Sequence, residues 1–158
     1  MKKIFSILSV VASSIVFFSC QKAALALNPR QDTMTASING TIFTSTDTNG
    51  AINIVSGRQQ LSFNGKSASG QYITIAINNF DPMNGTSWTI EGGSGTAIGA
   101  YNTGVTGASD IIGTKGKAQV NGVNNTTYPD AVVYTGSFNF TAGTNIITSG
   151  EFSIIVTK

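Results

Sequence analysis

Histidine is missing from all 158 residues, and cysteine and tryptophan occur once each. Without an imidazole the chain lacks the commonest general base, the Ser-His and Cys-His nucleophile pairs, and every zinc site built on histidine. A single cysteine has no partner for an intramolecular disulfide, so the fold is expected to form without covalent cross-links. Charge is sparse, at 10% of residues. Beyond Lys2 and Lys3 at the start, only Lys115 and Lys117 stand close together. No basic stripe of the kind phosphate binding requires is present, and no nucleic-acid partner is expected.

Long hydrophobic runs are equally scarce, with one exception that sets the expected compartment. Lys2 and Lys3 precede an uncharged, mostly apolar run over residues 4–18, and Ser19 and Cys20 follow at once. A basic start, an apolar run shorter than the ~20 residues of a membrane span, and a small residue before cysteine describe a lipoprotein signal. The reading is a signal peptide over residues 1–19, removed to leave Cys20 as the lipidated N-terminus. A rival cleavage site of the A-x-A type at residues 24–26 would discard Cys20 and start the chain at Leu27. The expected localisation is the cell envelope, exported and lipid-anchored at the outer membrane. Loss of Lys2 and Lys3 leaves side-chain charge balanced, since the remaining basic residues equal the acidic ones in number.

Residues 20–33 read as the lipidated cysteine and a flexible tether, polar and small in composition with one proline. From residue 34 to residue 158 the pattern is one of short strands. Apolar residues alternate at period two around Ile73, Ile75 and Ile77, around Phe138 and Phe140, and around Phe152, Ile154 and Val156. Asn39-Gly40, Asn49-Gly50, Asn64-Gly65, Asn84-Gly85, Asn121-Gly122 and Ser149-Gly150 read as the intervening turns. The spacing predicts a single all-β domain, an antiparallel β-sandwich, with a calycin-like β-barrel as the alternative. Connections this short do not permit the crossover that a parallel pair usually needs. The inward set expected is Ile38, Ile54, Phe63, Ile75, Ile77, Trp88, Ile90, Val120, Phe138, Phe140, Phe152, Ile154 and Val156. The hairpin from Tyr134 to Val156 is expected to be central, because both arms alternate and both carry phenylalanine.

Residues 37–43 (SINGTIF), 85–90 (GTSWTI) with Tyr101, 135–142 (TGSFNFTA) and 147–154 (ITSGEFSI) resemble the small uncharacterised lipoproteins common in Bacteroidota. The resemblance covers nearly all of the domain and implies an all-β fold and an envelope location. It implies no activity and no catalytic residue. Residues 32–34, Asp-Thr-Met, are similar to the triplet that Bacteroidota use for O-glycosylation of exported proteins, which makes Thr33 a candidate glycosylation site.

Carboxylates are what chemistry remains. Asp81, Glu91, Asp110 and Asp130 are each isolated in sequence, so a two-carboxylate glycosidase is the least favoured reading and no catalytic residue is assigned. The glycine-rich segments 91–99 (EGGSGTAIG) and 113–118 (GTKGKA) lack both the Walker lysine pattern and the G-x-G-x-x-G spacing. Residues 47–50 and 78–85 are rich in Asp and Asn, but neither matches a calcium loop, and turn chemistry accounts for them. No metal and no cofactor are expected. Aromatic faces are the best binding candidates: Tyr101 and Tyr128 lie among glycine and asparagine and are expected to be exposed. Trp88 shares the apolar parity of Ile90 and is the weaker candidate. The expected function is a non-catalytic binding or structural protein tied to the membrane through Cys20. Alternatives are a carbohydrate-binding module contacting glycan or peptide, and a carrier holding a small apolar ligand in a barrel cavity.

Overall fold

The computed structural model describes residues 32–81 and 86–158. Cys20 and most of the expected tether lie outside these residues, as does the Asn84-Gly85 dipeptide. Among the described residues there is no helix, and nine strands follow one another: β1 (Thr33–Ile38), β2 (Thr41–Val55), β3 (Arg58–Ser67), β4 (Tyr72–Asn78), β5 (Ser87–Ile90), β6 (Ala97–Asn102), β7 (Ile111–Asn124), β8 (Ala131–Ala142) and β9 (Asn145–Thr157).

The all-β, overwhelmingly antiparallel class is the one the alternation predicts. The ladder runs β1-β2-β3-β4-β6-β5-β7-β8-β9 and returns to β1, where Met34 faces Phe152 and Ile38 faces Ile147. Period-two alternation permits either of two architectures. Closure of the ladder gives the barrel, and its interior is packed ring against ring as two sandwich faces would be. One pairing departs from the expected antiparallel rule, where Ile90 of β5 lies parallel to Ala97 of β6. Both strands also border β7, with Trp88 opposite Ala118 and Tyr101 opposite Ile111. Residues 91–96 are an excursion between two segments that run in the same direction along β7, so no long crossover is required.

Local chemistry places the tight turns. Asn39 and Gly40 both have positive φ (51° and 84°), as do Ser56 and Gly57 (51° and 76°). Two consecutive left-handed residues are what a two-residue hairpin turn twisted like its strands demands. Asn39 is held further by the neighbouring turn, its Oδ1 accepting the Ile146 N–H at 2.8 Å.

Four of the dipeptides expected to be turns lie inside strands instead. Asn49-Gly50 is in β2, Asn64-Gly65 in β3, Asn121-Gly122 in β7 and Ser149-Gly150 in β9. At Gly50 and Gly150 the reason is space rather than turning, and Gly136 and Gly116 serve the same use. Gly50 is paired with Phe63, Gly136 with Phe152, Gly150 with Phe138 and Gly116 with Phe140. In each pair an aromatic side chain has a bare glycine as its cross-strand neighbour, the arrangement by which a large ring makes good the packing a glycine strand lacks. At Ser149-Gly150 the turn chemistry survives as a bulge, with Ser149 at φ 49° and the β8–β9 register shifting between Phe138 and Phe140.

The core follows strand parity. Twelve of the expected inward residues are buried, from Ile38 to Val156, and Phe63 meets Phe152 with ring centroids 4.2 Å apart. The exception is Ile54, which is 69% exposed. Its parity is that of Ile52, but its partner is Gln59, one inward step beyond the fully buried Leu61. The β2–β3 hairpin therefore overshoots the barrel, and parity continues where the core has ended. Met34, Phe43, Leu61, Ile73, Phe80 and Ile147 complete the interior.

Candidate functional surface

The three aromatic candidates do not form one platform. Trp88 is 7% exposed and packs against Phe80, their centroids 5.7 Å apart, while Phe80 meets Tyr134 edge-on at 5.4 Å. This trio closes the end of the barrel where β4 stops, and burial pushes the Tyr134 phenol above its ordinary value. Tyr101 is 3% exposed and points inward, its hydroxyl accepting a hydrogen bond from Gln71 Nε2 at 2.9 Å. The expectation that it is exposed is thus corrected. Its glycine- and asparagine-rich neighbours belong to the following loop, whereas Tyr101 itself pairs with Ile73 on the inward row of β4. Measured along β7, the partners of Trp88 and Tyr101 are seven positions apart, about 24 Å at ~3.4 Å per residue. Tyr128 is half-buried in the β7–β8 connection.

Among the described residues, the rings expected to border a carrier's cavity are packed instead. Phe138, Phe140 and Phe152 are each at most 4% exposed, and their rings lie against glycine backbone. A methyl on Gly150 would sit 2.5 Å from the Phe138 ring, and one on Gly136 would sit 2.5 Å from the Phe152 ring.

The candidate carboxylates do not all gather at one end of the barrel. Asp110, which accepts a hydrogen bond from Asn102 Nδ2 at 2.9 Å, lies in the β6–β7 connection at the opposite end of the barrel from Asp81 and Asp130. Among the described residues no three Asp, Glu or Cys side chains gather as a metal ion would need. Asn78 and Asn79 of the Asn-rich segment give their side-chain oxygens to Gln60 Nε2 and Arg58 Nη1, at 2.8 and 3.1 Å. Asp32 is the carboxylate with a distinct environment. It accepts the N–H of Ile155 at 2.8 Å and that of Gly50, and burial nonetheless holds its carboxyl above the ordinary value.

Thr33 apart, what the outside presents was not among the sequence candidates. Outward parity on three adjacent strands places Thr33 beside Ser153 and Thr135 in one row, and Thr35 beside Glu151 and Ser137 in the next. These short side chains border a shallow groove of about 430 Å³. The rows supply hydroxyls that both donate and accept, with one carboxylate among them. Thr33 is the first residue of β1 and is exposed, one position earlier than the expected domain start. The signal in sequence was the alternation of Thr and Ser with apolar residues, which marks an outer face but not which strands lie together.

Comparison with protein-family models, with curated proteins and with solved structures finds no match to this chain.

Proposed function

We propose that this chain is a lipid-anchored cell-envelope protein whose β-barrel domain acts through its outer surface, by binding or as a structural component, without catalysis. The observation that carries the reading is the filled interior: with inward rings seated on glycine backbone, what the domain offers a partner is its outside. The signal-like run ending at Cys20 and the resemblance to Bacteroidota envelope lipoproteins support the location. The position of Asp110 at the end opposite Asp81 and Asp130 weighs against a glycosidase that pairs it with either, and the packed rings weigh against the carrier.

Anchoring is tested by the mature N-terminus. Mass spectrometry is expected to give a chain starting at an acylated Cys20, and Cys20→Ala is expected to leave the membrane fraction. A chain beginning at Leu27 would overturn the anchor. The same intact mass reads whether Thr33, exposed at the start of β1, carries a glycan.

A second reading, carbohydrate binding, is favoured by the hydroxyl rows. Pairing of Thr33, Ser153 and Thr135 across three strands makes a polar surface suited to hydrogen bonding with sugar hydroxyls. Titration with soluble oligosaccharides is expected to move the amide signals of Thr135, Ser137 and Glu151. Shifts confined to Tyr128 and its loop would place the contact elsewhere and defeat this assignment.

A further inference from the structure

The β2–β3 hairpin leaves the barrel at the end where the chain enters the domain. Asp32 fixes that entry, its carboxylate bound to Gly50 of β2 and to Ile155 near the end of β9. Six residues beyond Gly50 the hairpin turns at Ser56-Gly57, and just before the turn Ile54 and Val55 are 69% and 48% exposed. Neighbouring strand residues point to opposite faces, so aliphatic carbon covers both sides of the tip. From residue 48 to residue 60 there is no acidic side chain and Arg58 is the single ionisable group, while Asp81, from the segment after β4, lines the same hollow as Arg58 and Asn79. Its guanidinium donates to Asn79 Oδ1 at 3.1 Å, which keeps the cation beside the tip.

We propose that this tip rests in the lipid surface to which Cys20 would tie the chain, Ile54 and Val55 entering the headgroup boundary and Arg58 facing lipid phosphate. The proposal builds on the anchored reading given above. Reach is compatible: Asp32 lies twelve positions after Cys20, at most about 42 Å at ~3.5 Å each, whereas Gly50 to Val55 spans about 17 Å at ~3.4 Å per residue. Two aliphatic side chains hold a protein on a bilayer only weakly by themselves. A tether makes their contact intramolecular, and stable attachment takes two such signals. The tip would thus set which side of the barrel faces the membrane, leaving the turns at Asn39-Gly40 and at Gly143 pointing away.

The experiment places a polarity-sensitive fluorophore on Val55→Cys, and separately on Ile42→Cys at the opposite end, in the processed full chain. Each labelled protein is reconstituted on phosphatidylcholine vesicles containing phosphatidylglycerol and lipids spin-labelled near the headgroup. The expected result is blue-shifted, strongly quenched emission at position 55 and neither change at position 42. A protein that floats with the vesicles while position 55 stays unquenched overturns the tip and leaves the anchor standing. Quenching at position 42 rather than 55 overturns it by reversing the orientation, and a protein that does not float at all removes the anchor and the tip together. Ile54→Asp, which alters an exposed position, is expected to abolish the quenching at 55 without releasing the protein from the vesicles.

Discussion

Gly136→Ala is expected to leave little folded protein, although it adds one methyl group. That methyl would lie 2.0 Å from the carbonyl oxygen of Gln119 and 2.5 Å from the Phe152 ring. Gln119 sits within the β7 ladder, between Ser87 of β5 and Ser137 of β8, so its carbonyl cannot swing aside as a side chain would. Relief requires β7 and β8 to separate. Overpacking that forces side-chain and backbone shifts costs ~1–3 kcal/mol and occasionally more, and a carbonyl held between two paired strands puts this variant at the upper end or beyond. Against a total of ~5–15 kcal/mol for a domain this size, the variant is expected to lose most of its urea midpoint. Ser137→Ala, on the outward face of the same strand, is the control and is expected to change stability by no more than ~0.5 kcal/mol. Equal midpoints for the two variants would contradict the packing described for β8.

Phe140→Ala is expected to cost near the upper end of the ~3–5 kcal/mol typical of a buried phenylalanine. The slot that holds this ring is walled largely by backbone: a methyl on Gly99 would lie 3.0 Å from it and one on Gly113 2.8 Å, with the Ile90 side chain close to both. Backbone in paired strands cannot collapse into the hole, so the cavity persists. Chemical denaturation of Phe140→Ala beside exposed Asn139→Ala measures this, and similar midpoints would mean that the register of β8 is wrong. Smaller and larger changes should also compensate. Combining Phe140→Leu with Gly99→Ala is expected to recover part of what either loses, because the three atoms nearest a Gly99 methyl all belong to side chains, two of them to Phe140 itself.

Parity was the legible part of the sequence. Ile73, Ile75 and Ile77, or Phe152, Ile154 and Val156, announce their strands and their inward face, and the hairpin of β8 and β9 lies where its paired phenylalanines suggest. Alternation carries no mark of where a core stops, which is why Ile54 continues the pattern into solvent. Asn-Gly and Ser-Gly dipeptides have two physical uses, turning and making room, and sequence alone does not separate them. At Asn39-Gly40 the chain turns; at Asn49-Gly50 it runs straight so that Ile154 can lie against bare backbone. Tyr101 is buried against expectation because the glycine and asparagine around it belong to the next loop, while its own register places it opposite Ile73. The hydroxyl rows required knowing that β1 lies beside β9, a pairing between the two ends of the domain that no local pattern encodes.

That pairing also orders events in time. Asp32 and Ile155 are 123 positions apart in sequence, and β1 has no second neighbour until β9 exists. A chain arriving from its N-terminus therefore keeps one edge of β1 and one of β8 unsatisfied until the last strand is delivered. Contacts of such separation are entropically late, and exposed strand edges in the interval invite pairing with other chains. The final thirteen residues of β9 act as the closing stave. Their truncation would leave two open edges on an otherwise intact sheet, and self-association is the outcome to look for.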